Sequence, residues 1–103
     1  MPGRMAELNV INWHINPWRA DRWYQVWMPA LERAPSFGAT SFSLTRSEED
    51  HLHFIQTTTW ESRADFDRFW ASDEVADARE AAGNWFNKPV YPVWHVLIAA
   101  ERD

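Results

Sequence analysis

The 103-residue chain has no cysteine. That excludes disulfides, thiolate nucleophiles and cysteine-ligated zinc or iron–sulfur centres. Positive charge is scarce: ten Lys and Arg stand against fifteen Asp and Glu, for a net charge of −5. No basic stripe is visible, so nucleic acid and anionic membrane surfaces are poor partners. No apolar run approaches the roughly 18 residues of a membrane-spanning helix. The start, MPGRMAELNV, lacks the apolar stretch of a secretory leader. The expectation is a cytoplasmic protein. There is no P-loop and no internal linker, and the length fits one domain spanning 1–103.

Indole, by contrast, is abundant. Eight Trp are present, four of them within NWHINPWRADRWYQVW at 12–27. Trp is large and rarely fully buried, and a chain of this size builds only a modest core. Some of these indoles are therefore expected at an interface or around a pocket.

The apolar pattern predicts the element order. Residues 7–15, ELNVINWHI, read as a central strand with apolar side chains on both parities. Asn16-Pro17 offers a helix cap followed by proline at the first helical position. Ala20, Trp23, Tyr24, Trp27, Met28 and Leu31 follow the spacing of an amphipathic helix, with Pro29 expected to kink it. Residues 39–45 and 51–60 read as a hairpin around the polar turn RSEED. Ser62 caps a second helix, with Asp65 as its capping-box partner. Ser72-Asp73 breaks that helix in two, and Gly83 ends the later piece. The last strand is expected at 93–100.

This βαββαβ order predicts an α+β, ferredoxin-like fold: a four-stranded antiparallel sheet with two helices on one face. Ile11, Trp13 and Ile15 share one parity of the first strand. They are assigned to the face away from the helices, where a second copy of the sheet would cover them in a homodimer. Asn12 and His14 share the other parity and are expected to look toward the helices. Trp23, Trp27 and Trp70 are read as inward-facing, as core or, with Tyr24 and Phe69, as the wall of a cavity for a flat aromatic ligand. Trp18 and Trp85 lie near turns and serve as lids or edge covers.

Four histidines are present. His14, two residues beyond Asn12, is a candidate general base on a phenol, or else a histidine satisfied within the fold. His51-x-His53 has a chelating spacing but no carboxylate of matching parity, so no metal site is assigned. In strand order 4-1-3-2, His14, His53 and His95 fall on neighbouring strands, and their register decides whether they meet.

The segment TTTWESRADFDRFWASDEVADARE at 57–80 resembles the antibiotic biosynthesis monooxygenase (ABM) superfamily of dimeric α+β barrels. The resembling features are Trp60-Glu61-Ser62, Phe66, Phe69-Trp70 and the Ser72-x-Glu74 break. The resemblance implies a pocket between helices and sheet in each subunit. One branch of the family contains cofactor-independent monooxygenases that oxidise polycyclic phenols to quinones. Another degrades haem, using an Asn on the first strand, a Trp on the second helix and a His ligand further along it. Asn12 and Trp70 match the first two, but Arg79 stands where the His would be. Arginine stays protonated and cannot ligate haem iron. The resulting expectation is a monooxygenase without cofactor, acting on a small aromatic molecule. Asn12 orients the substrate, His14 is the base, Trp70 is a wall, and Trp23, Tyr24, Trp27, Phe69 and Arg79 bind. The alternatives are a haem or tetrapyrrole protein with another ligand, and a non-catalytic ligand-binding or dimerisation module.

Overall fold

A computed structural model describes residues 7–100. The elements run β1 (Glu7–His14), α1 (Ala20–Leu31), β2 (Ala39–Arg46), β3 (His53–Trp60), α2 (Arg63–Ala71), α3 (Asp73–Ala81) and β4 (Val93–Val96). The sheet is antiparallel, in the order β2-β3-β1-β4. This is the ferredoxin-like α+β fold that the element order predicts. No helix among the described residues is long and apolar enough to cross a membrane.

Several boundaries differ from expectation for local reasons. Asn16-Pro17 does not start α1. Arg19 N–H donates to the Asn16 carbonyl at 3.1 Å, which closes a β-turn, and Arg19 takes the cap position. Pro29 lies in the last turn of α1, and the helix continues past it to Leu31. Ser62 caps α2 as predicted, its hydroxyl accepting from Ala64 N–H at 3.2 Å. Asp65 makes no capping box; its carboxylate pairs with Arg68 and packs under Gly38. Gly38 has φ 116°, and a Cβ there would stand 2.7 Å from Asp65 Oδ2, so glycine is required on both counts. β4 stops at Val96 rather than reaching 100. Its pairing with β1 ends at Glu7↔Val96, where the described part of β1 begins.

The largest correction concerns the faces of β1. Ile11, Trp13 and Ile15 face the helices, not a partner sheet, and all three are buried. Trp13 packs against Trp23 and Trp27 of α1, with ring centroids 5.3 and 4.9 Å apart. Its indole N–H also needs an acceptor, and Gln56 of β3 supplies one on that side. Gln56 Oε1 accepts from Trp13 Nε1 at 3.2 Å and from Trp27 Nε1 at 2.7 Å. One buried amide oxygen thus ties β1, β3 and α1 together. The opposite parity (Leu8, Val10, Asn12 and His14, with His53, Ile55, Thr57 and Thr59 of β3) forms the open face.

Gln56→Leu keeps the side chain's bulk but removes the acceptor of two buried indoles. Each orphaned donor costs about 1–3 kcal/mol. The expected loss is roughly 3 kcal/mol of unfolding free energy, read from urea denaturation monitored by tryptophan fluorescence.

Candidate functional site

The expected site residues fall on two sides of the sheet. Asn12 and His14 lie on the open face, where Asn12 Oδ1 meets His53 Nε2 at 2.8 Å. The His14 and His53 rings stack with centroids 4.4 Å apart and an interplanar angle of 14°. His95 pairs with Leu8, six positions along β1 from His14, so the three histidines do not cluster. His51 lies in the turn before β3 and shares no strand face with His53. Among the described residues, no group of three or more His, Asp or Glu could hold a metal ion.

Burial, reinforced by electrostatic repulsion from Lys88 and His53, holds His14 below the ordinary histidine value of 6.5; Asp50 opposes the shift. His14 is therefore a neutral imidazole near pH 7.

On the helix side, Trp23, Trp27 and Phe69 are fully buried. They pack ring against ring: Trp23 on Phe54 at 4.8 Å, Phe69 on Trp60 at 5.7 Å, Trp27 on Trp70 at 5.9 Å. Tyr24 points to solvent and edges a cleft of about 240 Å³ with Leu44, Arg46 and Phe54. The Tyr24 cleft is not lined by Trp23, Trp27 or Phe69. Pro29 borders a groove of about 340 Å³ between α1 and α3.

Trp70 and Arg79 do come together. The Arg79 guanidinium lies 4.6 Å above the Trp70 ring, and its Nη2 donates to the Trp70 carbonyl at 3.2 Å. Trp70 stacks on Phe66 at 5.6 Å, and Phe66 meets Trp94 edge-on at 5.4 Å. Trp94 is the β4 partner of Asn9.

Asn9 is the residue that sequence reasoning missed. It is fully buried, opposite Thr58 of β3, and neither its Oδ1 nor its Nδ2 has a partner. Gln56 Nε2 and Arg79 Nε are likewise buried without partners. Buried polar groups are overwhelmingly paired, so such a concentration calls for an explanation. Thr58 is satisfied, its hydroxyl accepting from Trp60 Nε1 at 2.7 Å. The signal for Asn9 and Gln56 was present in the sequence: an amide on the same parity as Ile11 and Trp13, and another in the middle of a strand. The even spread of apolar residues over both parities of β1 hid it.

No protein-family profile matches the chain, and no curated protein does. Solved structures match closely in shape. One, a provisionally assigned antibiotic biosynthesis monooxygenase from Nitrosomonas europaea, aligns over 95% of this chain and 96% of its own, with TM-score 0.84 and 11% identity. Another with the same provisional assignment, from Caulobacter crescentus, aligns over 95% and 92%, with TM-score 0.77 and 19% identity. A Pseudomonas aeruginosa protein covers 96% and 100%, with TM-score 0.82 and 11% identity. At these identities the likeness establishes a shared fold.

The depressed His14 value fixes a pH dependence. The unfolded chain binds the His14 proton more tightly than the folded one. Stability therefore rises with pH across the window just below 6.5 and is lost on acidification through it. Thermal denaturation from pH 7.5 down to 5.5 should show this slope, and His14→Gln should flatten it.

Proposed function

We propose that the chain is an ABM-type monooxygenase that oxidises a small planar phenol on the helix side of the sheet. The observation that carries this reading is a set of buried donors without partners on the helix side: Asn9 Nδ2, Gln56 Nε2 and Arg79 Nε, with Trp23 Nε1 as a fourth. Rings frame them, since Trp27 binds Gln56, Trp70 lies under Arg79, and Trp94 is the strand partner of Asn9. Buried donors beside aromatic rings suit an oxygen-bearing flat molecule. A guanidinium near a phenol favours the phenolate. The phenolate is the electron-rich form that can reduce dioxygen without metal or flavin. The overall change is a phenol plus O₂ giving a para-quinone plus water: a ring C–H becomes C=O, and the second oxygen atom leaves as water. The protein's part is to exclude water, orient the ring and hold the negative oxygen.

In this reading Asn9 takes the orienting role first given to Asn12. Asn12 and His14 lie across the sheet and have no part in the chemistry. We assign the open face, with Leu8, Val10, Ile55 and Val93 among its polar groups, to contact with a second copy. Haem fits the helix side poorly. His14, His53 and His95 are on the open-face parity and His51 is in a turn, so no histidine reaches Trp70.

The test is oxygen uptake and quinone absorbance with 1-naphthol. Arg79→Gln and Asn9→Leu should each lower kcat/KM at least tenfold. Asn9→Leu should also hold or raise the melting temperature, because it replaces an unpartnered buried amide with an apolar group of similar size. Unchanged turnover in both variants would place the chemistry elsewhere, and no oxygen uptake with 1-naphthol or related bicyclic phenols would refute the oxygenase reading.

A further inference from the structure

The turn between β1 and α1 contains a residue in a conformation that its side chain opposes. Trp18 has φ 69°, in the left-handed region, and it is the only non-glycine described residue with a positive φ. It occupies the third position of the turn closed by Arg19 N–H and the Asn16 carbonyl, with Pro17 before it. A positive φ at that position calls for glycine. A bulky residue there carries about 1–3 kcal/mol of strain, and such strain concentrates at working sites. Burial gives no compensation, because Trp18 is 94% exposed.

Trp18 borders a surface cleft of about 380 Å³ that is also lined by Arg19, Arg22 and Trp85. Both arginines are exposed, and neither makes an ion pair or a side-chain hydrogen bond with any described residue. Neither guanidinium is neutralised by an ion pair with a described carboxylate, which leaves positive charge at the cleft. The two walls are fixed to each other. Asn16 N–H donates to the Trp85 carbonyl at 2.7 Å, Asn16 Nδ2 to the Asn84 carbonyl at 3.0 Å, and Asn87 N–H to the His14 carbonyl at 3.0 Å. Ile15 and Phe86 form a β-bridge beneath them. The cleft is therefore built before any ligand arrives, which reduces the ordering cost of binding.

We propose that this cleft binds a planar aromatic carboxylate, with the ring against the Trp18 and Trp85 indoles and the carboxylate on the Arg19 and Arg22 guanidiniums. Indole faces take flat rings, and guanidinium pairs bidentately with carboxylate. The site shares no residue with the helix-side site around Trp70, so either stands without the other.

The probe is 2-naphthoate, titrated calorimetrically into the full chain beside neutral 2-naphthylmethanol. Wild type should bind the acid at least tenfold more tightly than the alcohol. Trp18→Gly should weaken naphthoate binding at least tenfold while holding or raising the melting temperature, since glycine relieves the turn. Arg22→Gln should weaken it comparably, and Arg79→Gln should leave it unchanged. Native mass spectrometry of Trp18→Gly should show the same number of subunits as wild type. The proposal is overturned by absence of naphthoate binding, by equal binding of the alcohol, or by binding that Arg79→Gln abolishes and Trp18→Gly does not. It is equally overturned if Trp18→Gly changes the oligomeric mass, because the indole is then a contact between copies.

Discussion

The interaction on which the rest depends is the acceptance of two indole N–H groups by one buried amide oxygen. Gln56 Oε1 holds Trp13 of the neighbouring strand and Trp27 of the covering helix. Indole can only donate, and of the buried Trp on this face Trp13 and Trp27 share this acceptor while Trp23 Nε1 has none. The choice of acceptor settles which way β1 faces, where α1 sits and how the aromatic core closes. It also fixes the orientation of the amide. With its oxygen held by two donors, the Gln56 amino group must point the other way, and it does so without a partner. Satisfying Trp13 and Trp27 thus leaves a buried donor without a partner, on the same face of the sheet as Asn9.

The abundance of Trp then divides into structural and exposed roles. Trp13, Trp23, Trp27 and Trp60 are interior and fill the space between sheet and helices. Trp70 and Trp94 are half-buried, and each has an arginine over its ring, Arg79 and Arg63 respectively. Trp18 and Trp85 stand at one end of the sheet, on turns tied together by backbone hydrogen bonds. Only the last two groups offer indole surface to anything other than the protein's own core.

The element order and the break at Ser72 were legible because they rest on local chemistry: turn residues, caps and helical spacing. The faces of β1 were not. Leu8, Val10, Ile11, Trp13 and Ile15 spread apolar side chains over both parities, and the deciding factor was a hydrogen bond to a glutamine 43 positions away from Trp13. The same parity puts Asn9 toward the helices and Asn12, three residues on, on the open face. The histidine question needed the β1–β4 register, which starts at Glu7 and keeps His95 far from His14. The turn at Trp18 escaped notice because Asn-Pro reads equally well as a helix start and as a β-turn.

The central claim is that the unpartnered groups around Trp70 exist to hold a ligand oxygen. The most direct measurement is a crystal structure of the full chain grown with 1-naphthol, at a resolution that separates the ring from its hydroxyl. The account predicts the ring against Trp70 and Trp94, with its oxygen about 3 Å from Asn9 Nδ2 or Arg79 Nε. Naphthol found only outside this cage, with Asn9 bonded solely to ordered water, would contradict it.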